Sequence, residues 1–473
     1  QINQRRMFNH PSFFITEKFL LQERKSMFSN KDIFKLIIPL IIEQILNSVM
    51  GMMDSLMVST VGPTAISAVS LVDSINTLII QVFSALATGG AIVCSQYIGS
   101  RNHKKANESG QQLLLSVFAI SLIITAFAVI LRRPLLSLIF GSVEPAIMNN
   151  ALTYLVITAF SYPFIALYNA GAALYRACGN SKYPMTISMV ANVVNVAGNA
   201  ILIFGLHCGV EGVAIPTLVS RAFCAVVVLY SLRKPKQEIV ISNYSSVRPQ
   251  WALIGTILSV GIPTGIENGM FQFGKLAIQS TVSTLGTDAI AANAMQTILE
   301  SFNSMAAIGI GLGTITIVGQ CMGAGRPDEA KRYIIKLAKY AEVALIISCA
   351  LTYFATRPLA VLGNMTPEST RMFIEMSTFV SIIKPIPWIF SFSLAYGMRA
   401  AGDVKFSMIV SSITMWTCRV LIVTILCRVF GFGPIAVWIG MACDWFVRGI
   451  CFTTRFISGR WSQIKVIDKA AGN

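Results

Sequence analysis

The segment VSTVGPTAISA (residues 58–68) returns 224 residues later as VSTLGTDAIAA (residues 282–292). The same offset carries Pro39 and Glu43 of IPLIIEQ onto Pro263 and Glu267 of IPTGIEN, and Gln96 and Gly99 of SQYIG onto Gln320 and Gly323 of GQCMG. It also places RRPLLSL on TRPLAVL and Pro163 on Pro387. With a slip of one residue, YRACGN (175–180) falls on MRAAGD (398–403). The chain is therefore a tandem duplication, and any fold assigned to one half must serve the other.

The composition says what kind of half this is. Of the 473 residues, 54% are hydrophobic and 12% charged, against about 25% charged in a water-soluble domain. Mean hydropathy is +0.67. Apolar runs recur from residue 33 to residue 457, long enough to cross a hydrocarbon core of about 30 Å as helices. They lack the two-residue alternation of barrel strands. Runs and loop signals predict twelve spans: 33–59, 66–98, 111–131, 146–175, 184–206, 209–231, 251–284, 289–322, 334–355, 370–398, 405–430 and 434–457. The expected fold class is thus an all-α integral membrane protein, with twelve transmembrane helices in two six-helix lobes. Six crossings per half is an even number, so both halves insert the same way round. Their pseudo-twofold axis then lies along the membrane normal, the plan of transporters that hold a site between two halves.

The net charge of +16 fits this plan better than nucleic-acid binding, because Lys and Arg gather in short loops. One side takes Arg5, Arg6, Lys18, Arg24, Lys25, Lys31, Lys35, Arg101, Lys104, Lys105, Arg176, Lys182, Arg233, Lys234, Lys236, Arg248, Arg326, Lys331, Arg332, Lys336, Arg399, Lys405 and the tail from Arg455 to Lys469. The other side takes chiefly Arg132, Arg133, Arg357, Arg371 and Arg428. Positive loops stay inside, so both termini are expected in the cytoplasm and the protein in the cell (inner) membrane. The corresponding division is a cytoplasmic segment 1–32, an N-lobe 33–231, an inter-lobe loop 232–250, a C-lobe 251–457 and a cytoplasmic tail 458–473. Residues 1–30 are mixed polar and basic with no cleavable signal pattern, so the first span acts as its own insertion signal.

Other chemistry finds little material. The ten cysteines form no CxxC pair and fall mostly in apolar runs, where they pack as small hydrophobes. The three histidines lie in or near loops and offer no zinc site. IGIGLGTITIVG (308–319) holds GxGxG but follows no strand; small residues in a span permit close helix approach. No Walker motif or catalytic dyad appears, so neither enzyme activity nor a cofactor is expected.

The order of motifs resembles the multidrug and toxic compound extrusion (MATE) family. The carriers are P-x-x-x-E early in span 1, then MMDSLMVSTVG (52–62), then a glycine-bearing span ending SQYIGSRNHKKA, with VGQCMGAGRPDEAKR as its second copy. YRACGNSKYP, RAAGDVKFS and NVVNVAGNAILIFGLHCGVEGVAIPTLVSR fit the same family. The resemblance covers about residues 33–457 and is greatest to the DinF-like branch. It implies a V-shaped cavity between two lobes and exchange of H⁺ or Na⁺ for an organic, often cationic, drug-like molecule. The lipid bilayer and small organic cations are the expected partners, with no nucleic acid, and a monomer is expected. The other reading is a lipid-linked precursor flippase of the same superfamily.

The polar residues inside the spans then become candidates. A mid-membrane aspartate costs about 2.5–3.5 kcal/mol on insertion scales and should face the bundle interior or a wet cavity. Asp54 is such a residue, and a carboxylate kept from water can carry a proton near neutral pH. Asn195 and Asn199 are four apart on one face of span 5. By the resemblance, Asp54 falls on the family's N-lobe aspartate, Asn195 on its asparagine and Thr217 on its threonine, with the carbonyl of Val213 beside them. These oxygens suit a hard cation, so Asp54, Asn195 and Thr217 are candidate Na⁺ ligands. The branch has a second aspartate where this chain has Asn199, and one carboxylate fewer weakens sodium binding.

Glu43, Asn47 and Asp54 form one stripe of span 1, because eleven residues bring the helix back to nearly the same face about 16 Å further along. Asp73 and Gln81 extend the polar inventory of span 2. Glu267 is the repeat partner of Glu43. It matches the span-7 glutamate of other MATE branches in kind but not in register, and Trp388 stands where those branches carry a span-10 aspartate. Lys275, Glu300 and Lys384 are further cavity candidates that pair among themselves or face cargo. The surplus of acids among these residues favours cationic cargo.

Overall fold

The computed structural model describes residues 26–141, 144–235, 237–241, 244 and 247–467. Of the basic residues used for orientation, Arg5, Arg6, Lys18, Arg24, Lys25, Lys236 and Lys469 lie outside the described residues, as do most of segment 1–32 and the end of the tail.

Twelve helical rods account for almost all of the described chain. They are α1 (Asn30–Ser59), α2 (Pro63–Gly99), α3 (His103–Ile130), α4 (Pro145–Phe160 with Tyr162–Ala177), α5 (Lys182–Gly205) and α6 (Glu211–Ser231). The second set is α7 (Trp251–Val282), α8 (Thr287–Gly323), α9 (Pro327–Leu362), α10 (Pro367–Ile383 with Pro385–Ala401), α11 (Val404–Arg428) and α12 (Ile435–Ile457). The sequence offset survives in the geometry. α8 starts and ends 224 residues after α2, and both α4 and α10 are bent, by 43° and 55°.

The ends follow from local chemistry. At the start of α1, Ser29 and Asp32 form a reciprocal capping box. Gly62 and Gly286, with φ of 138° and 96°, make the tight turns into α2 and α8 that the repeated VST-x-G segment encodes. Two rods start earlier than their hydropathy suggests: α3 at His103 and α9 at Pro327. Their first turns are polar, but Asn102 caps one by accepting from the Lys105 amide and Pro327 opens the other. A short helix, Arg132–Phe140, occupies a stretch expected to be loop.

Eight rods are long and apolar enough to cross a membrane singly, and the bent pairs α4 and α10 bring the number to ten. The remaining two, α7 and α9, are interrupted by Glu267, Gln272 and Lys275 and by Glu342 and Arg357. They are the repeat mates of α1 and α3, so the duplication supports as spans two apolar runs that these charges dilute.

The lobes, α1–α6 and α7–α12, meet through α1, α2, α7 and α8. Ile33, Leu36, Ile37 and Leu40, in the first turns of α1, are buried, whereas Met52, Met53 and Leu56 near its end are exposed. The GxGxG stretch of α8 lies where two backbones approach closely: a Cβ on Gly309 would sit 2.9 Å from the backbone of Ile41. At one end of the molecule Gly99 and Gly323 face each other's helix, and a side chain on either would collide with the carbonyl of Gln320 or Gln96. The two glutamines tie the lobes there symmetrically. Gln96 Nε2 donates to the carbonyl of Ala400 at 2.9 Å, and Gln320 Nε2 to that of Ala177 at 2.7 Å.

Candidate functional site

Beyond this closed end the lobes enclose a cavity of about 810 Å³. Its walls include Glu43, Asn47 and Asp54 of α1, as the helical stripe requires, and Gln81, Asn195, Thr217, Glu267 and Lys275.

Asp54 stands at the head of a chain of hydrogen bonds within the N-lobe. Asn199 Nδ2 donates to Asp54 Oδ1 at 2.7 Å and to Asn195 Oδ1 at 3.0 Å. Asn195 Nδ2 donates to Thr217 Oγ1 at 3.1 Å, and the Thr217 hydroxyl donates to the Val213 carbonyl at 2.9 Å. The four candidate cation-coupling residues are thus one network spanning α1, α5 and α6. Asn199 is fully buried, and its Oδ1 accepts no hydrogen bond. An unserved buried acceptor costs about 1–3 kcal/mol, so this oxygen gains from a bound cation or from a proton-bearing neighbour. The donor set is all oxygen with one carboxylate, which fits a hard monovalent ion. Among the described residues no three His, Cys, Asp or Glu side chains gather into a metal-binding group.

The departure at Asn199 gives a test. Asn199→Asp adds a second carboxylate beside Asp54 and is expected to tighten Na⁺ binding about tenfold, because ligand charge sets cation affinity in oxygen sites. Sodium-dependent thermal stabilisation of the purified protein measures this; equal affinities in the two proteins would contradict it.

The other candidates divide. Glu43 and Glu267 reach the cavity, but each is held by an arginine. Arg176 Nη2 lies 2.7 Å from Glu43, and Arg399 Nη2 lies 3.3 Å from Glu267. Ser407 adds a donor to Glu267 at 3.2 Å. The two pairs are related by the repeat. Asn47 accepts from Ser188 at 3.3 Å, and Gln81 from Asn268 of the opposite lobe at 3.4 Å.

Three expectations need correction. Glu300 and Lys384 do not line the cavity. They form an ion pair of 2.7 Å inside the C-lobe, where Lys384 is fully buried and also donates to Asn303 and Ser304. Asp73 is not in the cavity wall either; Asn76 and Tyr154 donate to its Oδ1 at 3.1 and 3.3 Å. The acid surplus used to argue for cationic cargo therefore does not hold. Glu43, Glu267 and Glu300 are each neutralised by a partner, which leaves Asp54 as the unpaired carboxylate of the wall.

The reading of the sequence also gave no site role to six ionisable residues, two of which, Arg176 and Arg399, it counted only among the loop charges. Arg176 and Arg399 pair with the glutamates. Arg221 lines the cavity and donates to Ser161 at 2.7 Å. Asp444, fully buried, is shared by Arg419 at 2.9 Å and by Arg448 in a closer contact. A signal existed for each: a charge inside an apolar run implies a partner. Arg176 and Arg399 recur at the repeat spacing with its one-residue slip, beside Glu43 and Glu267.

Comparison with known proteins agrees with this architecture. The MatE family model matches twice, over residues 39–201 and 263–425, the same offset that relates the repeats. The uncharacterized transporter YisQ of Bacillus subtilis is 27% identical over 436 residues, covering 91% of this chain and 95% of its own. The probable multidrug resistance protein NorM of Thermotoga maritima is 27% identical over 456 residues, covering 93% and 94%. Among solved structures, the outward-facing conformation of a multidrug resistance MATE family transporter of the MOP superfamily superposes with a TM-score of 0.85 at 19% identity, covering 90% of this chain and 96% of that one. Fold, duplication and cavity together define a multi-pass membrane transporter, not an enzyme. Since the matched segments make up more than half of its length, the chain belongs to the MATE family.

Proposed function

We propose that the protein is a multidrug efflux antiporter, exchanging H⁺ or Na⁺ for amphipathic organic molecules by alternating access. The observation that carries this is the Asp54–Asn199–Asn195–Thr217–Val213 network opening on a cavity between two repeat-related lobes. A cation on Asp54 and the basic group of a cargo molecule compete for one carboxylate, so loading one releases the other. Occupancy of Asp54 also changes what α1 offers to α5 and α6, the means by which ion binding biases one lobe arrangement over another. The names of the NorM relatives support drugs as cargo. Twelve rods in two halves, each half matched by the family model over its first five, support this reading over a lipid-linked precursor flippase.

With basic loops inside, the end closed by Gly99 and Gly323 is cytoplasmic and the cavity faces outward, in line with the outward-facing relative. Each inward cation supplies about 2.3 kcal/mol per 100 mV plus its concentration difference. The purified protein in liposomes, under ΔpH or ΔpNa imposed separately, is expected to drive a fluorescent drug against its gradient with one of them. Transport indifferent to both would overturn antiport.

A further inference from the structure

The duplication makes the two walls of the cavity comparable position by position, and at one depth their charges differ. Asp54 of α1 corresponds to Ile278 of α7, and Lys275 of α7 corresponds to Gly51 of α1. So on these equivalent helices α1 presents an acid and α7 a base, less than one helical turn apart, while Arg221 of α6 adds a base to the N-lobe wall, where it donates to Ser161. Lys275 is exposed and lines the cavity. Among the described residues no carboxylate lies within ion-pair distance of it. The charges acting on it are Arg419 and Glu300, and the latter is already neutralised by Lys384. Behind it, Arg419 and Arg448 share the single carboxylate of Asp444, which leaves this wall positive overall.

The neighbours of Lys275 complete a binding surface. Asn268, Phe271 and Gln272 lie one or two turns along the same face of α7 and all line the cavity. Phe271 has the guanidinium groups of Arg419 and Arg448 at 5.4 and 4.9 Å from its ring, and Arg448 also lies 4.5 Å from Phe392. These contacts fix two aromatic rings of the wall beside an unpaired ammonium and two amides.

We propose that Lys275 is the specificity residue of a C-lobe subsite for an oxyanion on the cargo, so that the transporter prefers zwitterionic amphiphiles over their purely cationic counterparts. A carboxylate, sulfonate or phosphate meets Lys275 while the basic end of the same molecule faces Asp54, and the flat body rests on Phe271 and Phe392. This inference rests on the export reading for its meaning but not for its test.

The test uses two probes that differ in one charge: a rhodamine with a free carboxylate and its methyl ester. Fluorescence anisotropy with the purified full-length protein reads binding without any gradient. The wild type is expected to bind the free acid about tenfold or more tightly than the ester, the scale of one charged hydrogen bond. Lys275→Gln should remove that preference while leaving ester affinity within about twofold, and Lys275→Arg should keep it. The wild-type ratio is decisive even if a variant folds poorly. Equal affinity for the two probes, a preference for the ester, or a preference retained in Lys275→Gln overturns the proposal, as does binding of neither probe. Ester carried against its gradient by a protein showing no acid preference would leave export standing and remove only the Lys275 subsite.

Discussion

Asp444→Asn is expected to deplete the folded protein more than any other single substitution in the C-lobe. Asp444 is fully buried and is the shared counter-charge of Arg419 and Arg448, themselves nearly inaccessible. Bringing these groups out of water is costly, and their mutual attraction repays it only while the set is intact. Removing one member of a buried ionic set costs about 3–5 kcal/mol, a large share of the 5–15 kcal/mol by which folded proteins are typically stable. The asparagine is nearly isosteric, so the loss is of charge and not of packing. The measurement is the melting temperature and membrane level of the variant beside the wild type. A triple replacement, Asp444→Leu with Arg419→Met and Arg448→Leu, should recover much of the stability, because it leaves no buried charge without a partner. An unaltered melting temperature in Asp444→Asn would contradict this assignment.

The second large effect is expected where the lobes touch. Gly99→Val and Gly323→Val place side chains against the opposed carbonyls of Gln320 and Gln96. Backbone cannot rotate away as a side chain can. Overpacking of this kind costs about 1–3 kcal/mol even at forgiving sites, and here it falls on the closed state alone. A bias of that size changes the ratio of two lobe arrangements by about five- to 150-fold. Efflux per molecule is therefore expected to fall about tenfold or more in either variant, with a smaller loss for Gly99→Ala. The same variants should separate spin labels placed on the α2–α3 and α8–α9 turns. Wild-type efflux from Gly323→Val would mean that this end never needs to close.

Much of this architecture was legible before any coordinates. Twelve spans could be read from apolar runs because lipid demands long apolar helices, and the repeat agrees with α7 and α9 where charges dilute that signal. The coupling cluster was legible for a related reason. Asp54, Asn195, Asn199 and Thr217 sit where polar groups are expensive, and such groups must find one another. What could not be read was which charge meets which across helices. Glu300 and Lys384 share one side of a lobe interior, and only the packing of α8 against α10 turns them inward, away from the cavity. Arg176 and Arg399 meet their glutamates from helices far apart in sequence, whereas Asp444 and Arg448 sit one turn apart on α12 with Arg419 on the neighbouring α11. Lys275 was visible as a charge, but that no carboxylate among the described residues pairs with it was not. That single fact changes the character of the C-lobe wall.

The dependence of transport on Asp54 can be measured in liposomes carrying Asp54→Asn beside the wild type, with cargo efflux and cation influx recorded together. The expected result is that the asparagine variant, which folds, loses gradient-driven efflux about tenfold or more and shows no cargo-dependent cation influx. Equal, gradient-driven exchange in the two proteins would place the coupling ion elsewhere in the chain.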